Sequence, residues 1–392
     1  TRAQIADPDL VALVRAGTPD RVRPPTLSGR WWAGRDPRNV VVSDDAAPPF
    51  PSPVAQGTGE VLVVGGGPAG LEAARNFALE GRSVHLVERD DHLGGALRLA
   101  AALPGRDRLR LLIEWWEREL AHLGVRVTTG RTVTPADLSD RGVEIVLATG
   151  SRPRPPSFRV GSGVECIPAA ELLDCTNGPF AQLSCGTGPL VQLDVVVSDP
   201  VGDAVAIGVA ELLAAAGHRC TLVTPDPAAG MRLGPGADVS GAHARLLRAG
   251  VTIAAFAEVR SVADGTAELV DVHTAEVRRV PCTVVVDCVQ RLPDDTLWSA
   301  RPDLPRAGDC VAPRGIQEAV REGRAPVSGD IGYSQYRHSR ALTRRSVGRT
   351  ALGPDPLSSP LQLGPLRLKN RVVFAAHLTG FAEDGLPSTR HI

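Results

Sequence analysis

The stretch that most limits what this chain can fold into is "GEVLVVGGGPAGLEAARNFALEGRSVHLVERDDHLGG", residues 59–95. Val61 to Val64 read as a buried strand, and Gly65-x-Gly67-x-x-Gly70 follows at once. A helix is predicted from about Ala69 to Leu79, and "SVHLVE" makes the next strand, ending in Glu88. Each glycine has a separate physical task. Gly65 permits the tight turn, Gly67 lets the backbone approach a pyrophosphate, and Gly70 allows close helix–strand packing. The helix start, Pro68 and Ala69, then faces the phosphates with unpaired N–H groups and the positive end of the helix dipole. Glu88 stands where a carboxylate accepts hydrogen bonds from both ribose hydroxyls. A lone glycine motif is a weak signal; strand, motif, helix, strand and terminal acid in this order are a strong one. The competing bland reading is a structural glycine turn in an unrelated α/β protein.

Further segments favour FAD over NAD at this first turn. Glu88 in place of Asp, and a second glycine pair at Gly94-Gly95 in "HLGG", suit a loop that crosses a flavin pyrophosphate. "VEIVLATGSRP" (143–153) is a strand ending in Ala148-Thr149-Gly150, where the chain must turn tightly beside the cofactor. "RAGDC" sets Gly308-Asp309 ahead of a helix beginning near Gly315. There the acid can bond a ribitol chain, or simply shape a turn. Arg89 and Val133 complete the candidate contacts.

A second turn departs from the pattern. "QLDVVVSDPVGDAVAIGVAELLAAAGHRCTLVTPD" repeats the plan, with a strand at 193–198, a helix to about Ala216 and a strand at 220–224. Its glycines are thinned: Asp199 and Asp203 flank Gly202, and Thr224 takes the place of Glu88. Two added carboxylates make a poorer anion site. Both a nicotinamide nucleotide site and a degenerate structural copy stay open, and no Arg follows Thr224 closely enough to argue for NADPH over NADH.

Composition excludes several alternatives. A formal net charge of −1 gives no long-range field for nucleic acid. No run of 18 apolar residues is uninterrupted by charge, so no membrane span is expected. The seven cysteines form no CxxC pair, which argues for a reducing, cytoplasmic setting and against a thiol redox couple. No zinc spacing and no GxSxG elbow occur. Trp115 and Trp116 fall on one helix, one expected in the core and one partly exposed.

The motifs "VVGGGPAGLEAA", "VVVSDPVGDAVAIGVAE" and "AGDCVAPRGIQEAVREGR" resemble the C-terminal dinucleotide module of the Old Yellow Enzyme-like flavoenzymes that include 2,4-dienoyl-CoA reductase and trimethylamine dehydrogenase. Reductases that accompany mycofactocin biosynthesis are also similar. The likeness covers about residues 1–325. It implies that "TRAQIADPDLVALVRAG" is a last barrel helix, with Arg2 at an FMN phosphate. It also implies that hydride passes from NADH or NADPH to FAD, then through a [4Fe–4S] cluster to FMN. The chain departs from the family where cluster cysteines are expected, since none precedes Cys166. "PLRLKNRVVFAAHLTG" (365–380) resembles the first strand of a second barrel, as in a fusion or a fragment. One strand and one helix cannot close an eight-stranded barrel, so FMN is not expected here unless a barrel-bearing partner chain completes it, and without the cysteines no cluster is expected.

The predicted fold class is therefore α/β, with two nested Rossmann-like domains and TIM-barrel remnants at both ends. The expected division is a barrel helix at 1–17, a linker without cluster cysteines at 18–58, and an FAD domain at 59–150 and 290–325. An NAD(P)-like domain is inserted at 185–289, followed by a linker at 326–360 and a barrel N-terminus at 361–392. The expected activity is that of an NAD(P)H-dependent flavin oxidoreductase module. The alternative is a non-catalytic FAD-binding remnant.

Overall fold

The computed structural model describes residues 7, 9–24, 59–138, 142–174, 192–233 and 237–324, together with four short strands between 361 and 387. Arg2, residues 25–58, the 326–360 linker and the apolar run 371–374 lie outside the described residues. The chain divides into two compact units, 1–335 and 336–392. In the second, Leu361–Leu363 pairs antiparallel with Leu366–Leu368, and Ala382–Glu383 with Leu386–Pro387.

In the large unit the first glycine turn belongs to a parallel sheet of order β3-β2-β1-β4. Its strands are β1 (Glu60–Val64), β2 (Ser83–Val87), β3 (Arg126–Thr128) and β4 (Glu144–Leu147). Val61 and Val63 of β1 are fully buried. Layers on both faces of a parallel sheet make its strands read as near-continuous apolar runs. One layer comes from helices α2 (Pro68–Leu79) and α4 (Arg108–His122), with the short α3 (Ala96–Ala101) before α4. Trp115 and Trp116 are both 1% exposed, so the expectation that one faces solvent is corrected. The reason is that α4 is covered on two sides. Trp116 Nε1 donates to Glu72 Oε2 of α2 (2.8 Å), while Trp115 Nε1 donates to the Arg21 carbonyl (2.7 Å) of the N-terminal segment.

In that segment the unbroken helix expected over 1–17 is interrupted at Asp7 and Asp9, which lie outside any helix. Helix α1 spans Leu10–Arg15 and ends as Gly17 takes a positive φ of 76°. It is tied down by Asp7, whose Oδ2 accepts from Arg23 N–H (2.7 Å), and by an Arg21–Glu119 ion pair at 2.7 Å. Beneath lies a buried charge cluster in which Arg324 and Glu72 pair at 2.7 Å, with Arg75 and Arg23 within 3.7 and 3.8 Å of the same carboxylate. Burial alone would raise the Glu72 pKa, but Arg23, Arg324 and Arg75 pull it down to about 2.

The second sheet is also parallel, of order β10-β9-β8-β14-β7. Its strands are β7 (Glu165–Pro168), β8 (Asp194–Ser198), β9 (Arg219–Val223), β10 (Thr252–Ala254) and β14 (Val284–Asp287). Helices α5 (Ala169–Leu173), α6 (Ala204–Ala215) and α7 (Ala237–Arg248) accompany it. The expected start at residue 185 is too late: β7 pairs with β14, and α5 buries Ala169, Leu172 and Leu173 in this unit's core. A sheet edge otherwise left open explains the recruitment of β7. An antiparallel layer of β11 (Ala257–Ala263), β12 (Thr266–Asp271) and β13 (Val277–Pro281) is joined at its edge by β6 (Arg159–Val160). The chain passes between the two parallel sheets along β5 (Ser151–Pro153) and β15 (Arg291–Pro293), which pair antiparallel.

After β15, helix α8 (Thr296–Ala300) leads to a return segment that rejoins the first sheet through a parallel bridge from Leu147 to Arg306. Helix α9 (Ile316–Arg324) then packs on α2. The approach is close: a Cβ on Gly323 would sit 2.5 Å from the Ala69 carbonyl oxygen.

Candidate functional site

The C-terminal ends of β1, β2 and β4 open into a cavity of about 780 Å³. This is where an open parallel sheet binds ligands. Gly65, Gly67, Pro68 and Ala69 line it from the first turn, Glu88 and Arg89 from the end of β2, and Gly95 and Val133 from the crossing loops. Ala148, Thr149 and Gly150 line it from β4, and Asp309 from the return segment.

The three motif glycines separate by task. Gly65 has φ 112°, and a Cβ there would lie 2.2 Å from the Ala148 carbonyl oxygen. At Gly70 a Cβ would meet the Gly65 carbonyl oxygen at 1.9 Å, so this residue packs helix on strand and stays behind the cavity. Gly67 is different. Its backbone is extended (φ −75°, ψ 179°), and a Cβ there would meet nothing within 4 Å. The space is open because the cavity begins there. Gly67 is also the N-cap of α2, and no side chain caps this helix. Its first turn therefore presents N–H donors and the positive dipole end to the cavity.

Glu88 is 7% exposed and rigidly held. Its Oε2 accepts from Gly66 N–H (2.5 Å) and its Oε1 from Asp90 N–H (2.9 Å). Each oxygen keeps lone-pair capacity for a further donor. Gly94 N–H bonds the Gly66 carbonyl (2.8 Å), which sets the second glycine loop over the first. Gly94 itself faces Ile113 rather than the cavity. Thr149 Oγ1 donates to the Asp294 carbonyl (2.6 Å), fixing the end of β4.

Asp309 belongs to a polar chain that sequence reasoning did not find. Its Oδ2 accepts from Ser151 Oγ (2.9 Å) and its Oδ1 from Arg314 N–H (3.2 Å). Arg291 Nε in turn donates to Ser151 Oγ (2.8 Å). Burial raises the Asp309 carboxyl pKa and lowers that of the Arg291 guanidinium. Ser151 and Arg291 come together only through the β5–β15 pairing of distant segments, and nothing in their local sequence signals it. Gly308 is buried against Ala69 and does not line the cavity.

The second turn is built otherwise. Helix α6 has Asp203 as its N-cap, the position that Gly67 holds on α2, and its carboxylate accepts from Val205 N–H (2.7 Å). Asp199 is 1% exposed; its Oδ1 accepts from Gly202 N–H (2.8 Å), and its Oδ2 has no hydrogen-bond partner among the described residues. Asp287, at the end of the neighbouring β14, likewise has an unpartnered Oδ2. Burial pushes both acids up to about 6. Two amides of the turn, those of Gly202 and Val205, thus hold the protein's own carboxylates where the first turn leaves its helix start open. Thr224 is fully buried and accepts through Oγ1 from Asp226 N–H (3.3 Å). Asp199, Gly202 and Thr224 do not line the cavity, although Asp203 to Val205 reach its far edge.

The described thiols offer no redox couple. Cys166, Cys220, Cys282, Cys288 and Cys310 are free, and burial raises every one of them. Among the described residues no His/Cys/Asp/Glu group could hold a metal ion, and no helix is long and apolar enough to cross a membrane.

Residues 59–306 match the family described as "Pyridine nucleotide-disulphide oxidoreductase". Among characterised proteins, the N,N-dimethylglycine/sarcosine dehydrogenase of Chromohalobacter salexigens is 32% identical over 257 residues, which is 62% of this chain and 34% of that one. The multifunctional alkene reductase/demethylase OYE of Caballeronia cordobensis is 36% identical over 174 residues, 44% of this chain and 24% of its own. Among solved structures, histamine dehydrogenase from Rhizobium sp. 4-9 superposes with a TM-score of 0.72 at 22% identity, covering 90% of this chain and 57% of that one. The matched region spans about a third or less of the length of these characterised relatives.

Proposed function

The chain belongs to the pyridine nucleotide-disulphide oxidoreductase family, and from that premise we propose that its large unit takes up FAD at the first glycine turn and accepts hydride from NADH or NADPH. The observation that carries the FAD assignment is Gly67: an extended, side-chain-free N-cap whose Cβ direction is empty and faces the cavity. Bound FAD would supply the two-electron chemistry, and the protein supplies position and electrostatics.

Each residue has a distinct part. The N–H groups at the start of α2 and the absence of Cβ at Gly67 suit a pyrophosphate. Glu88, already oriented by the Gly66 and Asp90 amides, suits the ribose hydroxyls. Asp309, held by Ser151 and the Arg314 amide, suits the ribitol. Arg291 acts through Ser151 and is a positioning residue. Among the described residues no paired thiols stand ready to take the electrons as a disulfide.

The relatives' names point to amine oxidation and alkene reduction as the chemistry of the whole proteins. A barrel-bearing partner or a longer chain would be needed to bring it here, and FMN and iron–sulfur are expected only with it. A second reading, an FAD-binding module without hydride transfer, is favoured by the carboxylates in the second turn. One experiment separates the two: the absorption spectrum of the purified chain before and after anaerobic NADH or NADPH. Bleaching of a bound flavin supports the oxidoreductase, a stable yellow spectrum supports the silent module, and a colourless protein sinks both.

A further inference from the structure

The two turns share one plan but differ at the helix N-cap. Gly67 leaves the start of α2 open, whereas Asp203 closes the start of α6 with a carboxylate on Val205 N–H. Asp199 closes the turn itself by accepting from Gly202 N–H, with its second oxygen buried and unpartnered. We propose that Asp199 and Asp203 act as an internal anion that gates the second turn, so that a nicotinamide dinucleotide binds there only when this pair is neutralised or displaced. The inference rests on the reading that the second unit takes such a nucleotide.

Charges around the pair strengthen the gate. Asp226, on the loop after β9, lies close enough that a Cβ on Gly202 would meet its Oδ2 at 2.6 Å, and it faces Asp199. Asp287 and the thiol of Cys288 stand at the end of β14. Arg106 and Arg232 face Asp203 and offset part of its charge. A dinucleotide pyrophosphate carries two further negative charges into this group. Leaving Asp199 ionised there would bury like charges side by side, which favours its protonated form.

The pH dependence follows in sign. Burial raises the Asp199 carboxyl to about 6, and that of Asp203 upward as well. The neutral form of Asp199, taken as the binding-competent one, is therefore populated below about pH 6 and scarce above it. If affinity scales with the competent fraction, binding at pH 5.5 should be about 25-fold tighter than at pH 7.5.

The test is calorimetric titration of the FAD-loaded chain with NAD⁺, which is stable in acid, and with NADH at neutral pH. Asp199→Asn keeps an acceptor for Gly202 N–H but removes the charge, and Asp203→Ser keeps a capping oxygen. At pH 7.5 Asp199→Asn should bind NAD⁺ at least 10-fold more tightly than the wild type and flatten the pH profile, and adding Asp203→Ser should tighten binding further. Flavin content and thermal midpoint establish that each variant is folded. Equal, pH-independent affinities in wild type and variants overturn the gate alone. No binding by the wild type or the double variant at either pH, with FAD still held, overturns the gate and the nicotinamide reading together.

Discussion

Substituting Gly67 by valine should separate cofactor binding from folding. The backbone there is extended, a region open to any L-residue, and the Cβ position is clear to 4 Å. The fold should therefore change in stability by no more than about 0.5 kcal/mol. The same side chain enters the cavity at the uncapped start of α2, where a pyrophosphate must come within hydrogen-bonding distance of the turn amides. Hydrogen bonds to a charged group are worth about 1.5–3 kcal/mol each. Losing two of them costs about 3–6 kcal/mol, or at least about 150-fold in affinity. FAD titration of the apoprotein by flavin fluorescence quenching reads the affinity, and thermal melting of the apoprotein reads the fold. Gly70→Ala is the contrast: its Cβ would lie 1.9 Å from the Gly65 carbonyl oxygen, so it should damage folding itself. A Gly67→Val protein that binds FAD as tightly as the wild type would refute the placement of the cofactor. One that fails to fold would refute the argument from open space.

Three further outcomes are expected. Glu88→Ala should weaken FAD by about 1.5–3 kcal/mol, seen in the same titration, because it removes an oriented carboxylate and leaves Gly66 N–H without its acceptor. Glu72→Ala should destabilise the large unit by about 3–5 kcal/mol in urea denaturation, since it removes the buried carboxylate that Arg23, Arg75 and Arg324 share and leaves Trp116 Nε1 without its acceptor. The Glu72 pKa is depressed to about 2, so its contribution is fully present above the unfolded value near 4.3 and lost as pH falls through about 2. The wild-type and mutant stabilities should therefore converge in strong acid. Asp287 behaves with the opposite sign. Its pKa is raised from 3.8 to about 6, so the stability associated with its neutral form is present below about 4 and lost as pH rises through 6. Asp287→Asn should consequently stabilise the protein by up to about 3 kcal/mol at pH 7.5 and by nothing at pH 4. Equal gains at both pH values would show that the effect is not electrostatic.

Much of the fold was legible because its signals are local. The run Val61 to Val64, the spaced glycines and the terminal Glu88 are read from one continuous stretch, and backbone sterics leave such a stretch few other conformations. The α/β class and the first cavity wall follow from them. The N-cap geometry could also be read in outline, since Asp199 and Asp203 visibly flank Gly202. Their consequences could not. Whether a carboxylate meets solvent, a ligand or its own turn depends on what surrounds it, and Asp199 is buried with Asp226 and Cys288, from later in the chain, facing it. The same holds for Ser151 and Arg291, joined to Asp309 only when β5 and β15 pair across about 140 residues. Trp115 and Trp116 make the point most simply. One helix face would bury one of two adjacent residues, and both are buried because α4 is enclosed on one side by α2 and on another by the N-terminal segment. Likewise β7 lies before residue 185 in sequence yet completes the second sheet, because a free strand edge takes whichever segment the folded chain brings to it. Periodicity and motif determine which elements form; burial, partner and pKa are properties of the assembled chain.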